Sequence, residues 1–171
     1  MNNLFTERLA LIPLSQLQLE ICLFDLTAFE NQIRLVVKRD FFTERVQRAI
    51  RMKVEKMRET DESRHAWLTY WLIVVKEVNI GAGMLGFKGY PDAEGSTEIG
   101  YGIAPAYQNK GYMSEAVQVL IDWAFTHPFC TTITATDVEN PASSRLLERL
   151  GAIRVGGNEK STSWEIRKVL A

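Results

Sequence analysis

Hydrophobic residues recur at two periods along this chain, and the two periods predict where helices and strands lie. Steps of three and four residues predict an amphipathic helix over 41–57, where Arg, Lys and Glu separate the apolar positions. The same steps predict a second helix over 113–125, which His127 and Pro128 bring to an end. Between them, 66–77 is rich in aromatic and β-branched residues and is predicted to be a strand buried on both faces.

Turn residues divide the middle of the chain into further strands. The glycines from Gly81 lead into a strand that runs to Tyr90, and "PDAEG" (91–95) turns the chain into "STEIGYGI" (96–103). Together with 66–77 these strands predict an antiparallel meander. The β-branched segment "CTTITATDV" (130–138) then follows the second helix, so a right-handed crossover between parallel strands is expected.

The two ends of the chain complete the predicted fold. "RLALIPL" (8–14) alternates in the manner of a short edge strand ended by proline, and 15–29 is weakly helical. "NPASSRLLERLG" (140–151) has Asn at an N-cap, Pro in the first turn and Gly past the end of a helix. "AIRVGG" and "STSWEIRKVL" predict a final hairpin. The fold class is therefore α/β with a mixed sheet.

Composition narrows the class of protein. The 171 residues are 46% apolar and 24% charged, which fits a single domain over 1–171 with a sizeable core. A formal net charge of -1 offers no positive field for nucleic acid, so that partner is not expected.

Neither a membrane nor a metal is expected. The longest apolar run is about half the roughly 20 residues that cross a bilayer, and the N-terminus shows no signal peptide. Cys22 and Cys130 lie far apart and neither belongs to a CxxC pair, so no disulfide framework or zinc site is expected. The cytoplasm fits this composition best.

One glycine motif matches a dinucleotide fingerprint only in its letters. "GAGMLG" (81–86) fits GxGxxG, but that motif works only when a helix follows and directs its N–H groups at a pyrophosphate. The next residues, "FKGYP", cannot form that helix. Close strand packing or a bulge is the expected role of these glycines.

The loop "PAYQNKGYMSEA" (105–116) does lie between a strand and a helix. Gly111 can adopt a positive φ, so that successive N–H groups converge on an anion at the positive end of the helix. A plain strand-to-helix turn remains the alternative. "NPASS" (140–144) also has a purely structural explanation, with Asn140 as N-cap and Ser143 as a first-turn hydroxyl. A ligand-binding role is favoured instead if the helices after both loops begin at the same edge of the sheet.

These two segments resemble one enzyme family. "QNKGYM" (108–113) is similar to the Q/R-x-x-G-x-G/A signature of the GNAT N-acetyltransferases, and "NPASSRLLERLGA" resembles their N-x-x-S…E-x-L-G-F segment. "TERLALIPL" (6–14) and "EIGYGIAPAYQNKGYMSEA" resemble the branch that contains the RimJ- and RimL-like ribosomal-protein N-terminal acetyltransferases. The resemblance implies a GNAT fold with helices on both faces of the sheet, acetyl-CoA as acetyl donor and an amine acceptor. It also allows a homodimer, for which the sequence specifies no interface.

The resemblance also implies a role for each matching residue. The pyrophosphate of acetyl-CoA would be held by the backbone N–H groups of five consecutive residues: Lys110, Gly111, Tyr112, Met113 and Ser114. Gly102 and Ile103 would pair with the pantetheine arm and hold the acetyl carbonyl. Asn140 would contact the pantetheine or adenosine side, and Ser143 would lie near the sulfur and protonate it or donate a hydrogen bond to it.

Two positions depart from the family pattern. Met113 replaces the last Gly or Ala of the signature, which is tolerable if φ is negative there, because the backbone makes the contact. Leu147 stands where some members have a tyrosine that protonates the leaving thiolate, so that route is closed.

Acetyl transfer to an amine needs a base, and Glu98 is the first candidate. In the strand 96–103 it shares a face with Gly100 and Gly102, which would leave space beside the carboxylate. Partial burial would raise its pKa and help it accept a proton directly or through water. An ordinary ion pair with a neighbouring strand is the alternative, and Asp137 is the second candidate base. His65 and His127 are expected to be structural.

The leading hypothesis is therefore an acetyl-CoA-dependent N-acetyltransferase acting on a primary amine, of a protein N-terminus or of a small molecule. The alternative from another class is a non-catalytic acyl-CoA-binding sensor on the same fold. Enzymatic thiol release with an amine panel separates the two.

Overall fold

A single mixed sheet organises the computed structural model, which describes residues 1–169. The strands are β1 (Leu4–Phe5), β2 (Leu9–Pro13), β3 (Val36–Val37), β4 (Trp71–Val75), β5 (Ile80–Phe87), β6 (Ser96–Ile103), β7 (Thr132–Val138), β8 (Ile153–Gly157) and β9 (Thr162–Arg167). Their order across the sheet is β1-β2-β4-β5-β6-β7-β9-β8, with β3 beside β5. The pairs β3–β5 and β6–β7 are parallel and the other neighbours are antiparallel. The predicted mixed α/β class is confirmed.

The helices cover both faces of this sheet. They are α1 (Gln16–Phe24), α2 (Leu26–Ile33), α3 (Glu44–Arg58), α4 (His65–Leu68), α5 (Tyr112–Phe125) and α6 (Pro141–Arg149). One core joins α4, α5 and α6 to the sheet, and the other joins α1, α2 and α3 to its opposite face. Burial of apolar side chains on both faces explains why β4 is buried along its whole length.

Three predicted elements differ from the structure. The helical segment 15–29 is two helices, because Asp25 is extended and its carboxylate caps α2 instead. The predicted strand 66–77 begins only at Trp71, because the preceding residues form α4. The strand at 8–14 is not at the edge, since β1 pairs outside it. The final residue of the predicted last strand, Leu170, lies outside the described residues.

The parallel pair β6–β7 separates partway along its length. The strands pair from Ser96–Thr132 to Glu98–Thr134, whereas β6 continues to Ile103 and β7 to Val138. The ladder of β7 with β9 shifts register between Ala135 and Val138, where Asp137 has a φ of 51°. The result is a wedge-shaped opening between β6 and β7, into which the loops before α5 and α6 lead.

Candidate active site

The wedge between β6 and β7 connects two cavities. The larger, of about 850 Å³, extends from the wedge toward α3. The smaller, of about 240 Å³, runs along the loop before α5 and the first turns of α5 and α6. Four residues line both cavities and so mark the passage between them: Tyr101, Gly102, Asn140 and Ser143.

The loop before α5 has the form of an anion cradle. Gly111 has a φ of 79° and immediately precedes α5, and Asn109 is also left-handed with a φ of 60°. Within the described chain no side chain caps α5, so its first N–H groups stay free for an acceptor in the smaller cavity. Met113 lies in the first helical turn, where φ is negative, so the family departure at this position is accommodated.

Arg8 fixes this loop from a distant part of the sequence. Its guanidinium donates to the Lys110 carbonyl at 2.9 Å and to the Glu115 carboxylate at 2.7 Å. It also lies 4.7 Å from the centre of the Tyr112 ring. Sequence reasoning missed Arg8, because nothing local in "TERLAL" indicates a partner about a hundred residues away.

The smaller cavity is lined by an arginine from α6. Arg149, in the last turn of α6, donates to the Ser114 hydroxyl at 3.3 Å and brings a positive charge beside the N-terminus of α5. Lys110, the only cation predicted for the loop, instead lies against Tyr107, with 5.5 Å between its ammonium and the ring centre. The positive charge that faces the cavity is therefore that of Arg149, which the sequence analysis did not select.

Asn140 and Ser143 lie at the passage between the two cavities. The Asn140 side chain accepts from the Ala142 N–H at 2.9 Å, so it is the N-cap of α6. Asn140 and Ser143 also line both cavities beside the wedge. The structural role of Asn140 and a ligand-binding role are thus compatible.

Glu98 lies at the closed end of the wedge. Its carboxylate pairs with the Lys88 ammonium and accepts from the Thr136 hydroxyl at 2.6 Å. Burial pushes the pKa of Glu98 upward, but the hydrogen bonds from Lys88 and Thr136 outweigh burial, and the pKa lies below its ordinary value. The expected rise in pKa is wrong, because a neighbouring strand supplies a cation at this position.

The two glycines expected to leave space beside Glu98 differ in their surroundings. A Cβ at Gly100 would meet nothing within 4 Å, whereas one at Gly102 would lie 3.2 Å from the Phe41 ring. Asp137 also lines the larger cavity. The structure therefore brings both candidate bases to one cavity, with Glu98 at its sheet floor.

Other sequence candidates lie away from the wedge. "GAGMLG" is part of β5, and no helix follows it. A Cβ added to Gly83 would lie 2.3 Å from the Gly102 carbonyl oxygen, and one added to Gly86 would lie 2.4 Å from that of Thr69. The expected close strand packing is confirmed. His65 is buried, with its ring nitrogen 3.0 Å from the Met57 carbonyl, and Leu147 is buried in the core on the α5 side of the sheet.

Two classes of feature are absent from residues 1–169. No helix there is long and apolar enough to cross a membrane. The same residues contain no cluster of three or more His, Cys, Asp or Glu side chains that could hold a metal ion.

Comparison with known proteins identifies relatives of this chain. The model of the acetyltransferase (GNAT) domain matches residues 8–153. The uncharacterised N-acetyltransferase YjdG of Bacillus subtilis (strain 168) is 38% identical over 96 residues, which are 56% of this chain and 55% of that protein. The chain thus spans about half the length of the first curated relatives it matches.

Solved structures share the fold over nearly their full length. A GNAT-family acetyltransferase from Bacillus anthracis has a TM-score of 0.61 at 26% identity and covers 97% of this chain and 98% of its own. The ribosomal-protein-S5-alanine acetyltransferase from Vibrio fischeri has a TM-score of 0.66 at 18% identity, covering 98% and 97%. A ribosomal L7/L12 α-N-protein acetyltransferase, RimL, in complex with coenzyme A has a TM-score of 0.66 at 15% identity, covering 97% and 98%.

Proposed function

Since this chain belongs to the GNAT acetyltransferase family, we propose that it transfers an acetyl group from acetyl-CoA to a primary amine by direct attack in a ternary complex. The observation that carries the proposal is the wedge between β6 and β7, which joins a cavity at the uncapped N-terminus of α5 to a second, larger cavity containing a carboxylate. A donor and an acceptor can enter these cavities separately and meet at the passage between them.

The smaller cavity fits acetyl-CoA in its chemistry. The N–H groups of residues 110–114 would receive the pyrophosphate, with Arg149 adding charge beside them. Beyond Glu98, the side of β6 that faces β7 has no strand partner in the described part of the chain. The peptide groups of Gly102 point toward β5, whereas those of Ile103 point the other way and can pair with an extended pantetheine arm. Acetyl-CoA would supply the activated acetyl group, as a thioester.

The residues around the passage would divide the work of transfer. Glu98, ionised because its pKa is low, would take a proton from the acceptor amine directly or through water. The backbone N–H group of Ile103 would polarise the acetyl carbonyl. Ser143 would lie beside the departing sulfur, where a hydroxyl can donate a hydrogen bond.

The larger cavity favours an acceptor that carries a single amine. Its charged lining comprises three carboxylates, from Glu98, Asp137 and Glu139, and two cations, from Arg45 and Lys88. The carboxylates attract the incoming ammonium, but Arg45 and Lys88 repel any further positive charge. We therefore expect the α-amino group of a polypeptide to be a better acceptor than a polyamine.

The most direct test is release of free thiol from acetyl-CoA in the presence of an amine panel. The panel contains peptides with free α-amino groups, a polyamine and an amino-sugar antibiotic. Product thiol should appear only when an accepted amine is present, and the peptides should be best. Tight CoA binding with no acceptor acetylated would instead support the acyl-CoA-binding sensor.

Lys88 sets the pH dependence of the reaction. Changing Lys88 to Met removes the cation that lowers the pKa of Glu98, while burial continues to raise it. Because a base must be ionised, the acid limb of the kcat/KM profile should move to higher pH. The matched control is Lys160→Met on the exposed β8–β9 hairpin, which should leave the profile in place. An acid limb that stays put or moves to lower pH in Lys88→Met would remove Glu98 as the group that titrates.

Arg8 should affect acetyl-CoA binding without touching it. In Arg8→Met the Lys110 carbonyl and Glu115 lose their partner, and the loop before α5 is no longer held in its binding conformation. The Kd for acetyl-CoA, measured by calorimetry, should rise about 5- to 10-fold. Arg167→Met, which breaks an exposed ion pair with Glu165 on β9, is the control. Equal affinities for the two variants would contradict the role assigned to Arg8.

A further inference from the structure

Lys53 is a buried amine that the proposed mechanism does not use. It shares the buried face of α3 with Ile50, Val54 and Met57, and only 6% of it is exposed. Removing an ammonium from water is costly, and an apolar side chain would fill such a position without that cost. Packing alone therefore does not account for a lysine here.

The amine of Lys53 reaches the end of β5. It donates a hydrogen bond to the Phe87 carbonyl and lies 4.6 Å from the centre of the Tyr70 ring. On the side of β5 away from β6, β4 begins only at Trp71, opposite Leu85, and does not extend as far as Phe87. Lys53 thus supplies the partner that a neighbouring strand would otherwise give to this carbonyl.

The residue after Phe87 carries the partner of the candidate base. Lys88 donates its backbone N–H to the Glu98 carbonyl at 2.7 Å, and its ammonium pairs with the Glu98 carboxylate. Lys56, three residues after Lys53 on α3, donates to the Lys88 carbonyl at 2.8 Å. Two lysines of one helix therefore bond to consecutive carbonyls and hold the backbone from which Lys88 reaches Glu98.

The same helix forms part of the wall of the larger cavity. Arg45, Val46 and Ala49, in the first two turns of α3, line that cavity together with Glu98. Lys53 lies one turn beyond Ala49 on the helix. Its bond to β5 thus connects the α3 wall of the cavity to the backbone beside the candidate base.

We propose that Lys53 is a positioning residue for the acetyl transfer, which keeps Lys88 within reach of Glu98 and α3 in place beside the larger cavity. This inference rests on the proposed function, in which Glu98 takes a proton from the acceptor amine. Lys53 touches no substrate and acts through Lys88. An apolar residue in its place would leave the Phe87 carbonyl without a partner and the end of β5 less firmly held.

The bond from Lys53 does not require a charge. Burial, together with repulsion from the two cations that face it, Lys56 and Lys88, lowers the pKa of Lys53 to about 7. Tyr70, whose phenol has a pKa raised by burial, faces it with its ring and brings no charge. An amine keeps N–H bonds when it loses its proton, so Lys53 holds the carbonyl on both sides of this pKa.

A double-mutant cycle on the pKa of Glu98 tests the proposal without any substrate. The pKa is measured by NMR of the side-chain carboxyl carbon in the wild type, Lys53→Met, Lys88→Met and the double variant. Lys53→Met should raise it by roughly half a unit, because Lys88 is less firmly held beside the carboxylate. In the Lys88→Met background the same substitution should have no effect. Arg51→Met, which removes a cation from the exposed side of α3, is the control and should leave the pKa of Glu98 in place.

The other outcomes of the cycle overturn the proposal. An equal rise in both backgrounds would show that Lys53 acts through its own charge and not through Lys88. No rise in either background would show that Lys53 only stabilises α3. If Lys53→Met does not fold, Lys53→Gln serves in the same cycle, with a smaller rise expected because its amide can still donate.

Kinetics then test the link to the reaction. In Lys53→Met the KM for the acceptor should rise about 3- to 10-fold, with kcat little changed at a pH where Glu98 is fully ionised. The Kd for acetyl-CoA should be unchanged, because the smaller cavity is lined by β6, the loop before α5, α5 and α6. Val54→Ala, which loosens the packing of α3, should lower the Tm and leave the pKa of Glu98 in place.

Two results separate this proposal from the proposed function. A rise in the acceptor KM in Val54→Ala as large as that in Lys53→Met would assign the effect to helix packing and contradict the role of Lys53. If the cycle gives the expected result but the wild type acetylates no amine, the proposed function fails while the positioning of Glu98 by Lys53 stands.

Discussion

Changing Gly111 to Val should weaken acetyl-CoA binding by about 100-fold or more. Gly111 has a φ of 79°, which a β-branched residue adopts only with strain of roughly 1–3 kcal/mol. An added Cβ would also lie 3.2 Å from the Arg8 guanidinium, which holds the loop. The first N–H groups of α5 would then no longer converge on one anion. The Kd for acetyl-CoA, measured by calorimetry, gives the size of the effect.

The chain offers a matched control for backbone strain. Gly151, just past the end of α6, has a φ of 78° and nothing within 4 Å of an added Cβ. Gly151→Val should lower stability without the loss of affinity. Lys110→Ala should weaken binding only a few-fold, because its side chain lies against Tyr107. Stronger weakening by Lys110→Ala than by Gly111→Val would show that the side chain, and not the backbone, holds the phosphate.

Replacing Glu98 by Gln should lower kcat about 10²- to 10³-fold, because the amine loses the group that takes its proton. Gln keeps the size of the side chain and can still bond to Thr136, so the cavity should keep its shape. The Kd for acetyl-CoA should be unchanged, since Glu98 lines only the larger cavity. Single-turnover rates and calorimetry together separate these two quantities.

Asp137→Asn decides between the candidate bases. We expect this variant to retain most of the wild-type kcat, because Asp137 lies on the irregular end of β7, away from the sheet floor of the cavity. Glu165→Gln on β9 controls for loss of a partly buried carboxylate elsewhere. If kcat falls strongly in Asp137→Asn and is nearly unchanged in Glu98→Gln, Asp137 and not Glu98 is the base.

Elements with complete local signals were predictable from sequence. The helix after Asn140 has its cap, its proline and its terminal glycine in one short segment, and the structure forms it over Pro141–Arg149. The helix from Tyr112 has a continuous apolar stripe. The turn before this helix was also predictable, because Gly111 can adopt the left-handed conformation at no steric cost and the structure has it there.

Features that depend on tertiary contacts were not predictable. The aromatic run 66–77 predicts a strand, but its first residues form α4, and Thr69 is held by a hydrogen bond of 2.6 Å to the Leu14 carbonyl. The partnership of Lys88 and Glu98 follows from the register of β5 and β6, which no local signal determines. Lys53 lies on the apolar face of α3, where burial lowers its pKa to about 7.

The candidate site likewise contains some residues that local sequence signals identify and others that only the tertiary structure identifies. The residues selected from sequence all border the wedge or the adjacent loop, because they belong to two contiguous segments. Arg8 and Arg149 were not selected, because each reaches the site only when distant elements meet. Their proposed roles depend on the fold and not on a motif.

A structure of the protein with acetyl-CoA tests the central claim most directly. Pyrophosphate oxygens should lie within hydrogen-bond distance of the N–H groups of residues 110–114, with the pantetheine arm between β6 and β7. The acetyl carbon should lie at the passage between Gly102 and Ser143, with Glu98 on the acceptor side. Acetyl-CoA bound elsewhere, or with its phosphates remote from the N-terminus of α5, would contradict the account.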